Sequence, residues 1–175
     1  MASNEQTSLF QRAGKAALPF GGLMSVISLS MVFADRFAPL GTVAIVLLLA
    51  LPFVVEHSQR KIFVAEEGMT EFAALWMHGI LLFILGGLIT GLVTYLVLQN
   101  TRPDFAYEQV NAMLEVYDTM PEFKDSEFVD VLRRARDNDL LPSPIEMVFN
   151  TFWLVSFTGS LLSAFTALIA QRRIK

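Results

Sequence analysis

The chain has 175 residues, 54 % of them hydrophobic and only 17 % charged, with a formal net charge of −4 and no cysteine. A soluble domain averages roughly 45–50 % apolar and about 25 % charged residues, so the apolar surplus must face something other than water. Without cysteine there are no disulfides, thiolate-bound zinc, iron–sulfur clusters or thiol catalysis, and 13 basic residues scattered among 17 acidic ones form no stripe for a phosphate backbone.

The surplus sits in four uncharged runs. The first, Ala16 to Ala34, follows Arg12 and Lys15 and stops at Asp35-Arg36. About 20 apolar residues at 1.5 Å each cross a hydrocarbon core of about 30 Å, so this run predicts a membrane helix over about 14–35. Val32-Phe33-Ala34 resembles a signal-peptide cleavage site, but the apolar run exceeds the roughly 7–15 residues of such segments, and the helix is expected to be retained. The second run, Phe37 to Val55, opens with Pro39 and closes at Glu56-His57, predicting a helix over about 38–57 that hairpins onto the first. Pro52 is expected to kink it, since proline removes a backbone hydrogen bond.

The third run, Phe72 to Leu98, has His78 as its one residue titrating near neutral pH. It predicts a helix over about 70–99, capped by Thr70 with Glu66, Glu67 and Glu71 near its positive end, and long enough to tilt or protrude. The fourth run, Met147 to Ala170, predicts a helix over about 144–171. Ser143-Pro144-Ile145-Glu146 supplies its start as a capping box with proline at the first helical position.

Between the third and fourth runs lies an extramembrane insert over 100–143. Ala106, Val110, Met113, Leu114 and Tyr117 share one helical face, and Phe128, Val131, Leu132 and Ala135 share another, so two short amphipathic helices are expected on the membrane or capping the bundle. Asp130–Arg134 and Arg133–Asp137 have the spacing of ion pairs along a helix, each contributing about 0.2–0.5 kcal/mol. The expected fold class is an all-α membrane protein: four transmembrane helices with a short amphipathic helical segment between helices 3 and 4.

Four crossings put both termini and the 56–71 linker on one side, with Arg12, Lys15, Arg60, Lys61, Arg172, Arg173 and Lys175. The other side carries Arg36, Arg102, Lys124, Arg133, Arg134 and Arg136, most of them inside the insert rather than flanking a crossing. Cytoplasmic termini follow from the positive-inside rule. The 100–144 segment, with ten acidic and five basic residues, then faces the exterior or periplasm.

Chemistry-bearing residues are sparse. The middle of every run is free of acids and bases, where a charge costs about 2.5–3.5 kcal/mol on insertion scales. His78 comes closest, and Glu56 and His57 lie toward the same side, so a Glu56–His78 hydrogen bond, a proton relay or a substrate contact is one reading of these three. A neutral, hydrogen-bonded histidine beside interfacial residues is the other. Two histidines without ligand spacing give no metal site, the glycines give no nucleotide loop, and no nucleophile–base motif appears, so no catalytic residue and no cofactor is expected.

Small residues form a clearer pattern. Ser156, Gly159, Ser160, Ser163, Ala164 and Ala167 line one face of the fourth helix, Gly87-xxx-Gly91 lies on the third, and Ala17, Gly21, Ser25 and Ser28 lie on the first. Such faces admit close helix approach in lipid, either within the bundle or in a homo-oligomer.

Gly68-Met-Thr-Glu-Phe-Ala-Ala-Leu-Trp-Met-His-Gly79 and the run from Tyr95 through Arg102-Pro103-Asp104-Phe105 resemble a family of small four-helix integral membrane proteins of unknown function found in Bacteroidota. The resemblance implies a bacterial inner membrane and, through genes encoded near a polyprenyl-phosphate glycosyltransferase, a role in envelope biogenesis. It transfers no functional residue. Together these features lead to a non-enzymatic accessory or scaffold subunit. Its expected partners are membrane lipids and an envelope glycosyltransferase or other membrane protein. The alternative is a small oligomeric transporter or lipid-substrate carrier with Glu56, His57 and His78 near its entrance.

Overall fold

A computed structural model describes residues 9–120 and 126–172, and these form helices α1 (Leu9–Val32), α2 (Pro39–Ala65), α3 (Phe72–Thr101), α4 (Phe105–Asp118), α5 (Glu127–Asp137) and α6 (Pro144–Arg172). Lys124, Arg173 and Lys175 of the charge argument lie outside the described residues. Four helices, α1, α2, α3 and α6, are long and apolar enough to cross a bilayer. They satisfy their backbone groups internally, as a hydrocarbon environment demands.

The chain divides into two units: residues up to Thr94 together with those from Thr151, and Tyr95–Asn150. The first unit is the bundle. Its main core gathers Ala17, Phe20, Met24 and Ile27 of α1, Ala44, Leu51 and Val55 of α2, and Leu82 and Phe83 of α3. Phe20 and Phe83 meet edge to face with centroids 5.1 Å apart. Each ring lies over a glycine: a Cβ on Gly86 would sit 2.6 Å from the Phe20 ring, and one on Gly159 2.3 Å from the Phe83 ring. Absent side chains are thus the sockets that let α1, α3 and α6 close on one another. Outward, α2 exposes Ile45, Val46, Leu49 and Phe53, and α6 exposes Trp153, Leu154, Phe157 and Phe165. Lipid tails are as apolar as these side chains, so such faces carry no penalty in a membrane.

The helix ends differ from expectation in instructive ways. α1 starts earlier and stops at Val32, and α2 does not end at Glu56-His57 but continues two turns to Ala65. The onset of charge marks where the chain nears water, whereas the helix stops where a turn motif stops it. Gly68 N–H donates to Phe63 C=O at 2.8 Å and Glu67 N–H to Val64 C=O at 3.1 Å, the paired bonds of a Schellman motif. Gly68 takes φ +81°, which glycine accepts readily; Glu67 takes φ 52°, which it does not. α2 remains helical through Pro52.

Thr70 is not a cap for α3, which starts at Phe72; its hydroxyl donates to Glu66 Oε2 at 2.7 Å. Glu66 also pairs with Arg12, and Gln171 Nε2 donates to Thr70 C=O at 3.2 Å. The start of α1, the α2–α3 turn and the end of α6 are therefore tied together at one end of the bundle. The Thr70 hydrogen bond, then the Arg12 guanidinium, hold the Glu66 carboxyl below its ordinary range.

The second unit centres on an antiparallel α4–α5 pair. Ser126 caps α5 through Val129 N–H, with Glu127 and Asp130 in the first turn and Arg134 and Arg136 in the last, matching the helix dipole. Arg133 pairs with Asp118 at 2.5 Å, and the Tyr107 hydroxyl donates to Asp139 at 2.7 Å, which pushes the phenol above its ordinary range. The expected Asp130–Arg134 and Arg133–Asp137 pairs are not made; Arg133 instead reaches Asp118 and, at 3.8 Å, Asp130. The buried face of α5 also differs, since Val129 is enclosed while Phe128 and Val131 are exposed. Tyr117 meets the Phe128 ring edge to face and Asp118 takes Arg133, so α4 contacts α5 through both an apolar and a charged side chain. At the exit of α3, Arg102 is 2 % exposed, pairs with Glu108 and lies over the Phe105 ring at 4.9 Å.

α6 begins at Pro144, and Ser143 N–H donates to Glu146 Oε2 at 2.9 Å, the return bond of a capping box. The Ser143 hydroxyl donates to the same oxygen at 2.7 Å.

Candidate functional site

The bundle holds a polar core where α2, α3 and α6 meet. Gln59 on α2 is 0 % exposed, and its Nε2 donates to Leu75 C=O at 3.1 Å, Ser163 C=O at 3.0 Å and Ser163 Oγ at 3.1 Å. Three acceptors facing one amide nitrogen fix which way the amide points. Ser163 in turn donates to Trp76 C=O at 3.0 Å, and Trp76 Nε1 donates to Ser160 C=O at 3.0 Å. The contact needs Gly79: a Cβ there would lie 1.8 Å from Ser163 Oγ and 2.8 Å from Gln59 Nε2.

One residue before that glycine, His78 is 1 % exposed, and its Nε2 lies 3.0 Å from Ser58 Oγ. The partner is Ser58, not Glu56. His57 is exposed on α2 and Glu56 is half-buried, and the expected Glu56–His78 hydrogen bond is not made. His78 Nδ1 and Gln59 Oε1 have no hydrogen-bond partner among the described residues. The Ser58–His78 separation is that of a nucleophile–base dyad, but triad chemistry asks for an acceptor orienting Nδ1. The contact links α2 to α3.

The small residues are distributed along the same seams. Ser163 belongs to the polar core, Ser160 accepts from Trp76, and Gly159 receives Phe83. A Cβ on Gly87 would lie 3.2 Å from the Phe152 ring. Gly91 is half-buried on α3, and Ser156 Oγ is buried without a partner among the described residues. Between α1 and α3, Ser28 and Thr94 share a 2.8 Å hydrogen bond, and Thr90 donates to Gly21 C=O at 3.2 Å. Sequence reasoning passed over Ser58 and Gln59, because polar residues just beyond an uncharged run look like the start of the aqueous linker. Their signal was faint: Val55, Gln59 and Phe63 recur every four residues on one face.

Four apolar spans stitched by glycine sockets and interhelical hydrogen bonds define a multi-pass α-helical integral membrane protein. Residues 15–172 match the sequence profile of the DUF4199 family, described as a protein of unknown function, and the chain belongs to that family. No curated protein and no solved structure matches it.

Proposed function

We propose that the protein is a non-enzymatic accessory or scaffold subunit of the bacterial inner membrane, with cytoplasmic termini, serving envelope biogenesis. One observation carries this reading. The α4–α5 pair joins Arg133 to Asp118 and Tyr107 to Asp139, yet leaves Phe128 54 % and Val131 53 % exposed on α5 and Met113 43 % and Val116 52 % exposed on α4. Apolar side chains set in an acidic extramembrane segment suit a partner with an apolar patch and a basic rim. The family resemblance points to a membrane glycosyltransferase of the envelope as that partner.

Photo-crosslinking from position 131 in the native membrane tests the reading. A discrete adduct with one membrane protein, lost in Phe128→Ser but retained in Glu115→Gln, is the expected result. Lipid adducts alone would refute it. A small oligomeric transporter or lipid-substrate carrier is the second reading, favoured by the Nδ1 of buried His78, which has no hydrogen-bond partner among the described residues. It predicts flux in liposomes that His78→Phe abolishes at unchanged protein level.

A further inference from the structure

We infer that the groove between α1 and α2 binds the phosphate headgroup and upper acyl chain of an anionic membrane lipid. The groove has a volume of about 280 Å³ and is walled by Ala16, Pro19 and Phe20 of α1, Val54 of α2 and Leu82 of α3, with His57, Ser58 and Lys61 completing it. Its composition changes along its length. Val54 and Lys61 are seven residues apart, roughly 10 Å along the α2 axis, so the apolar walls lie toward the bilayer and the basic end lies toward the helix terminus at Ala65. A second depression of about 370 Å³ shares His57 and Lys61 and adds Arg60.

Charge complementarity selects the occupant. Arg60 and Lys61 have no carboxylate partner among the described residues, whereas Arg12 at the same end is already paired with Glu66. Glu67 and Glu71 are exposed in the turn and outside both depressions. Basic side chains above an apolar slot between two spans are the arrangement that holds a phosphate diester at the membrane surface. Ser58 adds a directed donor. In the tautomer that carries its proton on Nε2, His78 donates to Ser58 Oγ. The Ser58 hydroxyl hydrogen is then available to a phosphate or ester oxygen in the groove. The inference is independent of the role proposed for α4–α5.

The test uses the full chain, extracted in mild detergent from vesicles of equal phosphatidylglycerol and phosphatidylcholine, with bound lipid read by native mass spectrometry. Wild type is expected to keep phosphatidylglycerol in a one-to-one adduct at roughly tenfold preference, on the scale of one to two basic contacts. The triple variant His57→Gln/Arg60→Gln/Lys61→Gln loses that preference. Val54→Trp, at an exposed position on the wall, fills the slot with all charges intact and loses the adduct as well. Equal retention of both lipids by wild type would overturn the inference, as would an adduct unchanged by Val54→Trp, which would mean headgroup contact at the annulus only. Displacement of the lipid by millimolar inorganic phosphate would make the site a free-phosphate site and overturn it too.

Discussion

Replacing Gly79 by alanine probes the α3–α6 seam with a single carbon atom. The added Cβ would sit 1.8 Å from Ser163 Oγ, 2.7 Å from Ser163 Cβ and 2.8 Å from Gln59 Nε2, well inside contact distance for all three. Ser163 cannot simply swing away, because its hydroxyl accepts from Gln59 and donates to Trp76 C=O. Overpacking a close contact costs about 1–3 kcal/mol. Two displaced interhelical hydrogen bonds add about 0.6 kcal/mol each. Alanine in place of a helical glycine returns about 1 kcal/mol. The net expectation is a loss of about 1–3 kcal/mol. Ser163→Gly removes the two nearest of these atoms and leaves only the movable Gln59 amide, so the double variant Gly79→Ala/Ser163→Gly should be more stable than the sum of the single effects by about 1–2 kcal/mol. Reversible unfolding in mixed micelles, followed by the fluorescence of Trp76 in a Trp153→Phe background, measures each corner of the cycle. A Gly79→Ala protein as stable as wild type, or additive single effects, would show that α3 and α6 do not meet at this glycine.

Two further outcomes follow from the turn at the end of α2. Glu66 has a depressed pKa in the folded protein, so its contribution to stability is complete above the ordinary carboxylate value and is lost as pH falls through the lower folded value. Thermal melting across that acidic window should show a pH dependence that Glu66→Gln weakens and Thr70→Val reduces, with no difference between variants' slopes near neutrality. Glu67 occupies the left-handed region without the freedom of glycine. Glu67→Gly should therefore raise stability by about 0.5–1 kcal/mol in the same unfolding assay, after its added chain entropy is set against the relieved backbone.

The spans were legible because lipid imposes a one-dimensional rule: a run of about 20 uncharged residues has few other places to go. The Ser143–Glu146 capping arrangement was legible because it is local in sequence. The interior was not. Whether His78 meets Glu56 or Ser58 depends on the rotation of α2 about its axis, and these two residues are two positions, roughly 200°, apart on that helix. Tertiary packing sets the rotation, with Gln59 drawn inward by acceptors 16 and 104 residues distant in the chain. α5 repeats the lesson at smaller scale: periodicity marked Phe128 and Val131 for burial, yet Val129 is the residue enclosed.

The span of 104 residues between Gln59 and Ser163 also has a meaning in time. At about 5–20 residues per second of synthesis, α2 and α3 wait roughly 5–20 s in the bilayer before α6 arrives. Throughout that interval a carboxamide and the notch at Gly79 face lipid or whatever insertase shelters them. α6, synthesised after α2 and α3, is thus the helix that closes the seam, and a nascent chain stalled before residue 163 would present an unfinished polar groove to the membrane's quality control.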